Sequence, residues 1–299
     1  MQFTNISQAI GHTPLIKIGE RLYAKLESVN PSGSVKDRMA EFVLNAAEQR
    51  GELKPGGTIV EASSGNTGIA FSMLAAARGY HMIVVMPSNM SIERKQMIMA
   101  FGAEIVEVGA GDFAGAVAKR DALIKELGAF NPNQFANPDN RLCHAQTTGQ
   151  EILQQVASLD EPNKTIAAWV AGTGTGGTLM GVYDALLQAN AQLAAVAVEP
   201  TESAVMLGGA PGAHSIQGIG DGFIPPLVDM TKVTQAIDVS SADAIARMRR
   251  LTRELGLMVG ISAGANVLAA EKYMAQHQPS GLVVTVLPDR QERYFSMLQ

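Results

Sequence analysis

The chain has 299 residues, 46% hydrophobic and 17% charged, which is enough apolar material for two modest lobes or one large α/β domain and is not the profile of a disordered chain. Its net charge is −5, with 23 basic residues scattered along the chain, so it lacks the clustered positive face that nucleic acids or acidic membranes require. A single cysteine, Cys143, excludes an internal disulfide framework and a multi-cysteine zinc site. No run of about 18 uninterrupted apolar residues occurs, and Met1-Gln2-Phe3-Thr4-Asn5 lacks the features of a secretory signal, so a cytoplasmic protein without a membrane span is expected.

Short apolar, β-branched runs alternate with longer helical stretches, the pattern of an α/β protein with a mostly parallel sheet. In chain order, Ser34 precedes a helix from about Val35 to Arg50, which Gly51 closes. A strand over Thr58–Glu61 leads to Asn66 and Thr67, which open the helix Gly68–Arg78. His81–Met86 is the next strand, and Ser91 starts the helix Ile92–Phe101. Strands follow at Glu104–Val108, Ile166–Ala171 and Ala194–Val198. Ser240 and Ser241 begin a helix to Leu255, and Leu282–Leu287 is the last strand. Residues 58–108 form one small βαβαβ lobe. The stretch Asn131-Pro132-Asn133 to Asn137-Pro138-Asp139-Asn140 marks the lobe boundary and is poor material for regular structure. Two lobes imply a cleft, where a ligand is expected.

Gly172-Thr173-Gly174-Thr175-Gly176-Gly177-Thr178 lies between a strand and a helix. Residues without a Cβ let backbone N–H groups face a ligand, and the helix N-terminus adds partial positive charge, so the loop is a phosphate cradle. Two cofactors fit it at this point. Gly172, Gly174 and Gly177 spell G-x-G-x-x-G, and Glu199 follows at about the spacing of a ribose-binding acid, as in NAD(P)-dependent oxidoreductases.

Asn30-Pro31-Ser32-Gly33-Ser34-Val35-Lys36-Asp37-Arg38 places Lys36 in the first turn of a helix. A helix N-terminus disfavours a cation, which favours the neutral amine that Schiff-base chemistry with a carbonyl cofactor needs. In Glu61-Ala62-Ser63-Ser64-Gly65-Asn66-Thr67-Gly68 a strand passes into a helix through hydroxyls, a glycine and an amide, a set of donors suited to a carboxylate.

Together these segments resemble the cysteine synthase (O-acetylserine sulfhydrylase) family of fold type II pyridoxal-phosphate enzymes. The resemblance runs in order through Ile10-Gly11-His12-Thr13-Pro14-Leu15, Asn30–Arg38, Ser63–Gly68, Gln134-Phe135, Asn137-Pro138 and Thr147-Thr148-Gly149. The glycine-rich loop, Gly218-Ile219-Gly220, Gly260-Ile261-Ser262-Ala263-Gly264-Ala265 and Glu292-Arg293-Tyr294 complete it. It implies a two-lobed, tryptophan-synthase-β-like fold with an interlobe active site. Residues 1–34 and 145–299 would form the larger, phosphate-anchoring domain, and 35–144 a smaller mobile domain closing over the substrate carboxylate.

By the same resemblance Lys36 carries pyridoxal 5′-phosphate and later moves the substrate α-proton. Asn66 bonds the ring hydroxyl, Gly174, Thr175, Gly176, Gly177 and Thr178 hold the phosphate, and Ser262 partners the pyridine nitrogen. Ser63, Ser64, Gly65, Thr67 and Gln134 match the substrate-carboxylate site, with Gly218 and Gly220 at its rim. The implied reaction is β-replacement of acetate in O-acetyl-L-serine by sulfide or thiosulfate, giving L-cysteine or S-sulfocysteine. A homodimer is implied, and A-type relatives bind a serine acetyltransferase C-terminal tail. His12, Ser63 and Gln150 depart from the usual family residues. The tail Asp289–Tyr294 resembles the B-type branch, which can use thiosulfate, whereas the Val198–Ser203 and Gly218–Gly222 stretches resemble the A-type, so the sulfur donor is left open. Rival readings are cystathionine β-synthase, a serine/threonine dehydratase, the oxidoreductase above and a binding protein without activity. The five histidines show no metal spacing, the methionines read as core filler, and Cys143 reads as a quiet boundary residue.

Overall fold

The computed structural model describes residues 3–63 and 65–298. The chain opens with a hairpin, β1 (Leu15–Gly19) and β2 (Leu22–Leu26), followed by α1 (Lys36–Arg50). Then come β3 (Thr58–Ala62), α2 (Asn66–Arg78), β4 (His81–Pro87), α3 (Ile92–Ala100), β5 (Glu104–Val108) and α4 (Phe113–Leu127). Beyond the Pro/Asn-rich stretch lie α5 (Pro138–Gln146), α6 (Thr148–Ala157), β6 (Ile166–Gly172), α7 (Gly177–Leu186) and β7 (Ala194–Pro200). The last elements are β8 (Gln235–Val239), α8 (Ser241–Leu255), α9 (Ile261–His277) and β9 (Leu282–Leu287). All six strands expected from sequence are present within two residues of their limits.

Three further strands and the helices α4, α5, α6 and α9 are not among the elements expected from sequence, and local reasons account for the strands and for α5. The β1–β2 turn is made by Glu20 and Arg21, with Arg21 at φ 55°, and carries none of the Asn or Gly that signals a tight hairpin. β8 is five residues long and carries polar Gln235 and Asp238. Asn137-Pro138, read as loop material, starts α5: the Asn137 side chain accepts from the Asp139 N–H at 3.0 Å, and Pro138 occupies a position where a missing N–H costs nothing.

The chain forms two compact bodies. The first comprises residues 1–10, 30–133 and 292–299. Its parallel sheet β3-β4-β5 alternates side chains between two cores. Ile59 and Val84 pack with Met39, Val43 and Leu44 of α1 and Phe71 and Leu74 of α2, while Val60, Ile83 and Val85 pack with Ala116 of α4. The second body comprises residues 11–29 and 134–291, with sheet order β1-β2-β9-β6-β7-β8, parallel except for the β1–β2 pair. Fully buried Trp169 anchors its core, donating its indole N–H to the Leu179 carbonyl at 3.1 Å.

The divisions differ from the 34/35 and 144/145 expected from sequence, and particular contacts account for each. Residues 30–34 join the first body because Ser32 bonds Asp37. Residues 134–144 join the second because α5 lies tight on α7: a Cβ on Gly181 would sit 2.2 Å from the Arg141 carbonyl. Among the described residues no helix is long and apolar enough to cross a membrane, and no cluster of His, Cys, Asp and Glu could hold a metal ion.

Candidate active site

In the first body, Lys36 is the first residue of α1 and is half-buried. The expected Ser34 cap lies one residue further out. Val35 occupies the cap position, and the Ser34 hydroxyl accepts from the Lys36 N–H at 3.3 Å. Gly33, at φ +88°, makes the tight turn that places this start, its N–H bonded to the Asn30 carbonyl at 2.8 Å. Asp37, which the sequence reading passed over, fixes the loop. It is fully buried and accepts from both the Ser32 N–H, at 2.7 Å, and the Ser32 hydroxyl. An acid in the first turn complements the helix dipole and holds the backbone that presents Lys36.

The Ser63–Gly68 loop leaves the carboxyl end of β3 and enters α2. Ser63 is buried, and its hydroxyl oxygen accepts from the Gly68 N–H at 3.1 Å and the Gly65 N–H at 3.3 Å. Its proton is thereby left to donate elsewhere. Asn66 and buried Thr67 open α2 as expected, and Ser64 lies outside the described residues. Asn66 Oδ1 accepts from Arg293 Nη1, and Arg293 Nη2 donates to the Ser32 carbonyl at 3.0 Å. Arg94 lies against the same loop, 3.4 Å from where a Gly65 Cβ would stand and 5.0 Å from the Tyr294 ring centroid.

In the second body, β6 ends at Gly172, and residues 173–176 form an open loop before α7. Gly176 takes φ +83°, and a Cβ there would stand 2.4 Å from Val228. Among the described residues the N–H groups of Gly174, Thr175, Gly176 and Thr178 meet no acceptor. Asn140, read from sequence only as part of the boundary stretch, braces the loop. Its Nδ2 donates to the Gln134 carbonyl at 2.8 Å and to Thr175 Oγ1 at 2.9 Å, and its Oδ1 occupies the space beside Gly177. The Thr178 hydroxyl is 3.2 Å from Nε2 of buried His144, whose Nδ1 is 2.9 Å from Thr148 Oγ1. Gly218 and Gly220 adopt positive φ beside the loop, the Gly220 N–H bonding the Thr173 carbonyl at 3.0 Å. Ser262 is buried in the first turn of α9. Gln134 belongs to this body, whereas Ser63, Gly65 and Thr67 belong to the first.

Glu199 does not serve as a ribose acid. Its two oxygens accept from the Met206 N–H at 2.9 Å and the Leu207 N–H at 3.0 Å, folding the segment after β7. Burial pushes its carboxyl above the usual range in spite of those bonds.

The residues present suit pyridoxal 5′-phosphate. Open N–H groups at the start of α7, with the Thr178 hydroxyl, form a set of donors for a phosphate. Thr173 Oγ1 beside them is buried without a hydrogen-bond partner. The half-buried Lys36 supplies an amine, Asn66 an amide and Ser262 a neutral hydroxyl.

Comparison with known proteins agrees. Residues 6–289 match the family described as pyridoxal-phosphate dependent enzyme. A cysteine synthase of Staphylococcus aureus (strain Mu50) is 44% identical over 98% of this chain and 95% of its own length. The structure of an O-ureido-L-serine synthase superposes with a TM-score of 0.92 at 40% identity, over 99% of this chain and 94% of that one. That of the Entamoeba histolytica cysteine synthase superposes with a TM-score of 0.92 at 36% identity, over 99% and 90%. With this match over nearly its whole length, the chain belongs to the pyridoxal-phosphate dependent enzymes, in their cysteine synthase family, and uses pyridoxal 5′-phosphate as its cofactor.

Proposed function

We propose that this enzyme carries out a β-replacement on O-acetyl-L-serine, releasing acetate and joining sulfide or thiosulfate to the β-carbon to give L-cysteine or S-sulfocysteine. The observation that carries the reading is the groups each body offers, Lys36 and Asn66 in the first and Gly174–Thr178 and Ser262 in the second, in a chain 44% identical to a cysteine synthase. When bound, the cofactor supplies an electron sink that makes the substrate α-proton acidic and lets the β-substituent leave.

The residues supply position and proton traffic. Lys36 would hold the cofactor at its carbonyl carbon, and its free amine would take the α-proton, a general-base step worth roughly 10²–10⁴-fold. Gly174, Thr175, Gly176, Gly177 and Thr178 bind the phosphate through N–H and O–H donors, each bond to the charged group contributing about 1.5–3 kcal/mol. Asn66 donates to the ring oxygen. Ser262 faces the ring nitrogen with a neutral hydroxyl, which leaves that nitrogen unprotonated, so elimination is favoured over reactions that need a lasting carbanion. Ser63 donates its remaining proton to the substrate carboxylate, with Ser64, Gly65, Thr67 and Gln134 completing that site and Gly218 and Gly220 bordering the substrate side chain.

The resemblance also supports a cytoplasmic homodimer that accepts a serine acetyltransferase tail. The test is a product assay on the cofactor-loaded protein. O-acetylserine is offered with sulfide, thiosulfate or hydroxyurea, beside O-phosphoserine with sulfide and serine with homocysteine. Cysteine or S-sulfocysteine with stoichiometric acetate is expected. A loaded protein that releases acetate only with hydroxyurea, or that acts only on serine with homocysteine, would overturn the reading.

A further inference from the structure

The motif Glu292-Arg293-Tyr294 has no role in the reaction above, yet Arg293 is the side chain that ties together the two ligand-facing segments of the first body. It is 3% exposed, and its guanidinium forks: Nη1 bonds Asn66 Oδ1, at the start of α2, and Nη2 donates to the Ser32 carbonyl at 3.0 Å, in the loop that leads into Lys36. Its backbone is fixed as well. The Arg293 carbonyl accepts from the Ser91 hydroxyl at 3.4 Å, and Tyr294, fully buried, stacks against Arg94. Three residues on, Ser296 donates its N–H and its hydroxyl to the two carboxylate oxygens of Glu93, each at 2.8 Å.

The chemistry of the fork sets the direction of the Asn66 amide. A carboxamide can turn either its oxygen or its NH₂ toward a neighbour, and the two orientations have nearly the same shape. A guanidinium has donors and no acceptor, so the atom it meets must be the oxygen. The NH₂ is then directed away from Arg293 as a donor. We propose that Arg293 is a positioning residue: by holding Asn66 Oδ1 and the Ser32 carbonyl it makes Asn66 a hydrogen-bond donor to the cofactor's ring oxygen and sets the Lys36 loop in register with it. The proposal rests on the functional reading above, in which Asn66 meets that oxygen. A donor at this place favours the deprotonated ring oxygen, so Arg293 acts on the protonation of the bound cofactor through Asn66 and without touching it.

The test uses apo protein titrated with pyridoxal 5′-phosphate, followed by the visible absorption of the bound cofactor across pH. The variants are Arg293→Met, Arg293→Lys, Asn66→Ala and the double variant Asn66→Ala with Arg293→Met. Arg293→Met should weaken cofactor binding roughly five- to hundredfold, as one misdirected hydrogen bond does. It should also move the pH-dependent absorption in the same direction as Asn66→Ala. Arg293→Lys, which reaches one of the two acceptors, should fall between. In the Asn66→Ala background, Arg293→Met should cost several-fold less affinity than in the parent, because one of the two groups it acts through is gone and only the Ser32 contact remains to be lost.

Binding and spectra like the parent's in Arg293→Met, or additive losses in the double variant, would overturn the proposal alone. A parent that takes up no cofactor would overturn the functional reading and the proposal with it. Should Arg293→Met fail to fold, Asn66→Asp decides. A carboxylate keeps Arg293 satisfied, so the apo variant should melt at or above the parent temperature and above Asn66→Ala, yet bind cofactor more weakly than Asn66→Ala because its second oxygen turns an acceptor and negative charge toward the ring oxygen. An Asn66→Asp protein that melts below Asn66→Ala would overturn the contact on which the proposal stands.

Discussion

Gly177→Ala tests how the glycine-rich loop is held. An alanine Cβ at this position would lie 2.1 Å from Asn140 Oδ1 and 2.5 Å from its Cγ, well inside any real carbon contact. Helix α7 cannot yield easily, since Trp169 and the Leu179 carbonyl lock its first turn from below. The Asn140 side chain must therefore move by about 1 Å, which stretches its 2.8 Å bond to the Gln134 carbonyl and its 2.9 Å bond to Thr175 Oγ1 beyond hydrogen-bonding range. Two such bonds contribute about 1–3 kcal/mol together. Replacing glycine in a helix returns at most about 1 kcal/mol. With that return the net loss is about 0–2 kcal/mol, a fall in Tm of up to a few degrees for a body of this size. Thr175 is released along with the phosphate-facing N–H groups, so cofactor affinity should drop about tenfold, the equivalent of about 1.4 kcal/mol. Calorimetry and cofactor titration measure both. Asn140→Ala removes the atoms the new Cβ would strike, so Gly177→Ala in that background should cost nothing further. Additive losses, or a single variant with the parent's Tm and affinity, would refute the reasoning.

Other outcomes follow from the remaining site residues. Lys36→Ala should fold with a Tm close to the parent's, since the half-buried side chain supports no core, while O-acetylserine turnover falls by several orders of magnitude; near-normal turnover would remove Lys36 from the chemistry. Ser262→Asp should retain cofactor but slow acetate release, because a carboxylate holds the ring nitrogen protonated and strengthens the sink that the neutral hydroxyl keeps weak; stopped-flow absorption with O-acetylserine reads this directly. Burial pushes the Glu93 carboxyl up, but its own N–H and the N–H and O–H of Ser296 outweigh that and hold it below its ordinary value. A lowered folded-state value means the contact stabilises at neutral pH and is lost as pH falls through the acidic range below the usual carboxylate value. Protection of the Ser296 amide should therefore weaken on acidification in the parent and lose that pH dependence in Glu93→Gln.

What could be read in advance was what each segment shows by itself. Strands β4, β6, β7 and β9 are apolar runs covered on both faces, and β3 and the half-exposed β5 keep enough Ile and Val at consecutive positions to stand out as well. Lys36, the Ser63–Gly68 loop and Gly172–Thr178 were legible because glycine, hydroxyl and amine residues cluster where a strand or turn passes into a helix, so composition and position tell the same story. Asn137-Pro138 misled for the converse reason, since the residues that favour loops are also those that start helices.

The residues that went unread are those whose meaning depends on a distant partner. Lys25 sits in a five-residue strand and reads as a solvent-facing charge, yet it is fully buried, with its amine 2.5 Å from the Thr13 carbonyl, 2.8 Å from Gln155 Oε1 and 2.7 Å from Glu151 Oε2. Only α6, folded beside β2, makes that burial tolerable, because removing one partner would strand the other charge. Asn140 and Arg293, noticed in the sequence only as members of longer stretches and given no role there, belong to the same class. Each is an ordinary polar residue in its own window, and each carries its function through an acceptor brought near by folding: Thr175, 35 residues on, and Asn66, 227 residues back. Ligand-facing groups need a special backbone and so mark the local sequence, whereas the groups that aim them need only a donor in the right place. A lysine at a helix start and a glycine-rich turn could thus be found from the chain alone, and the side chains that give them direction could not.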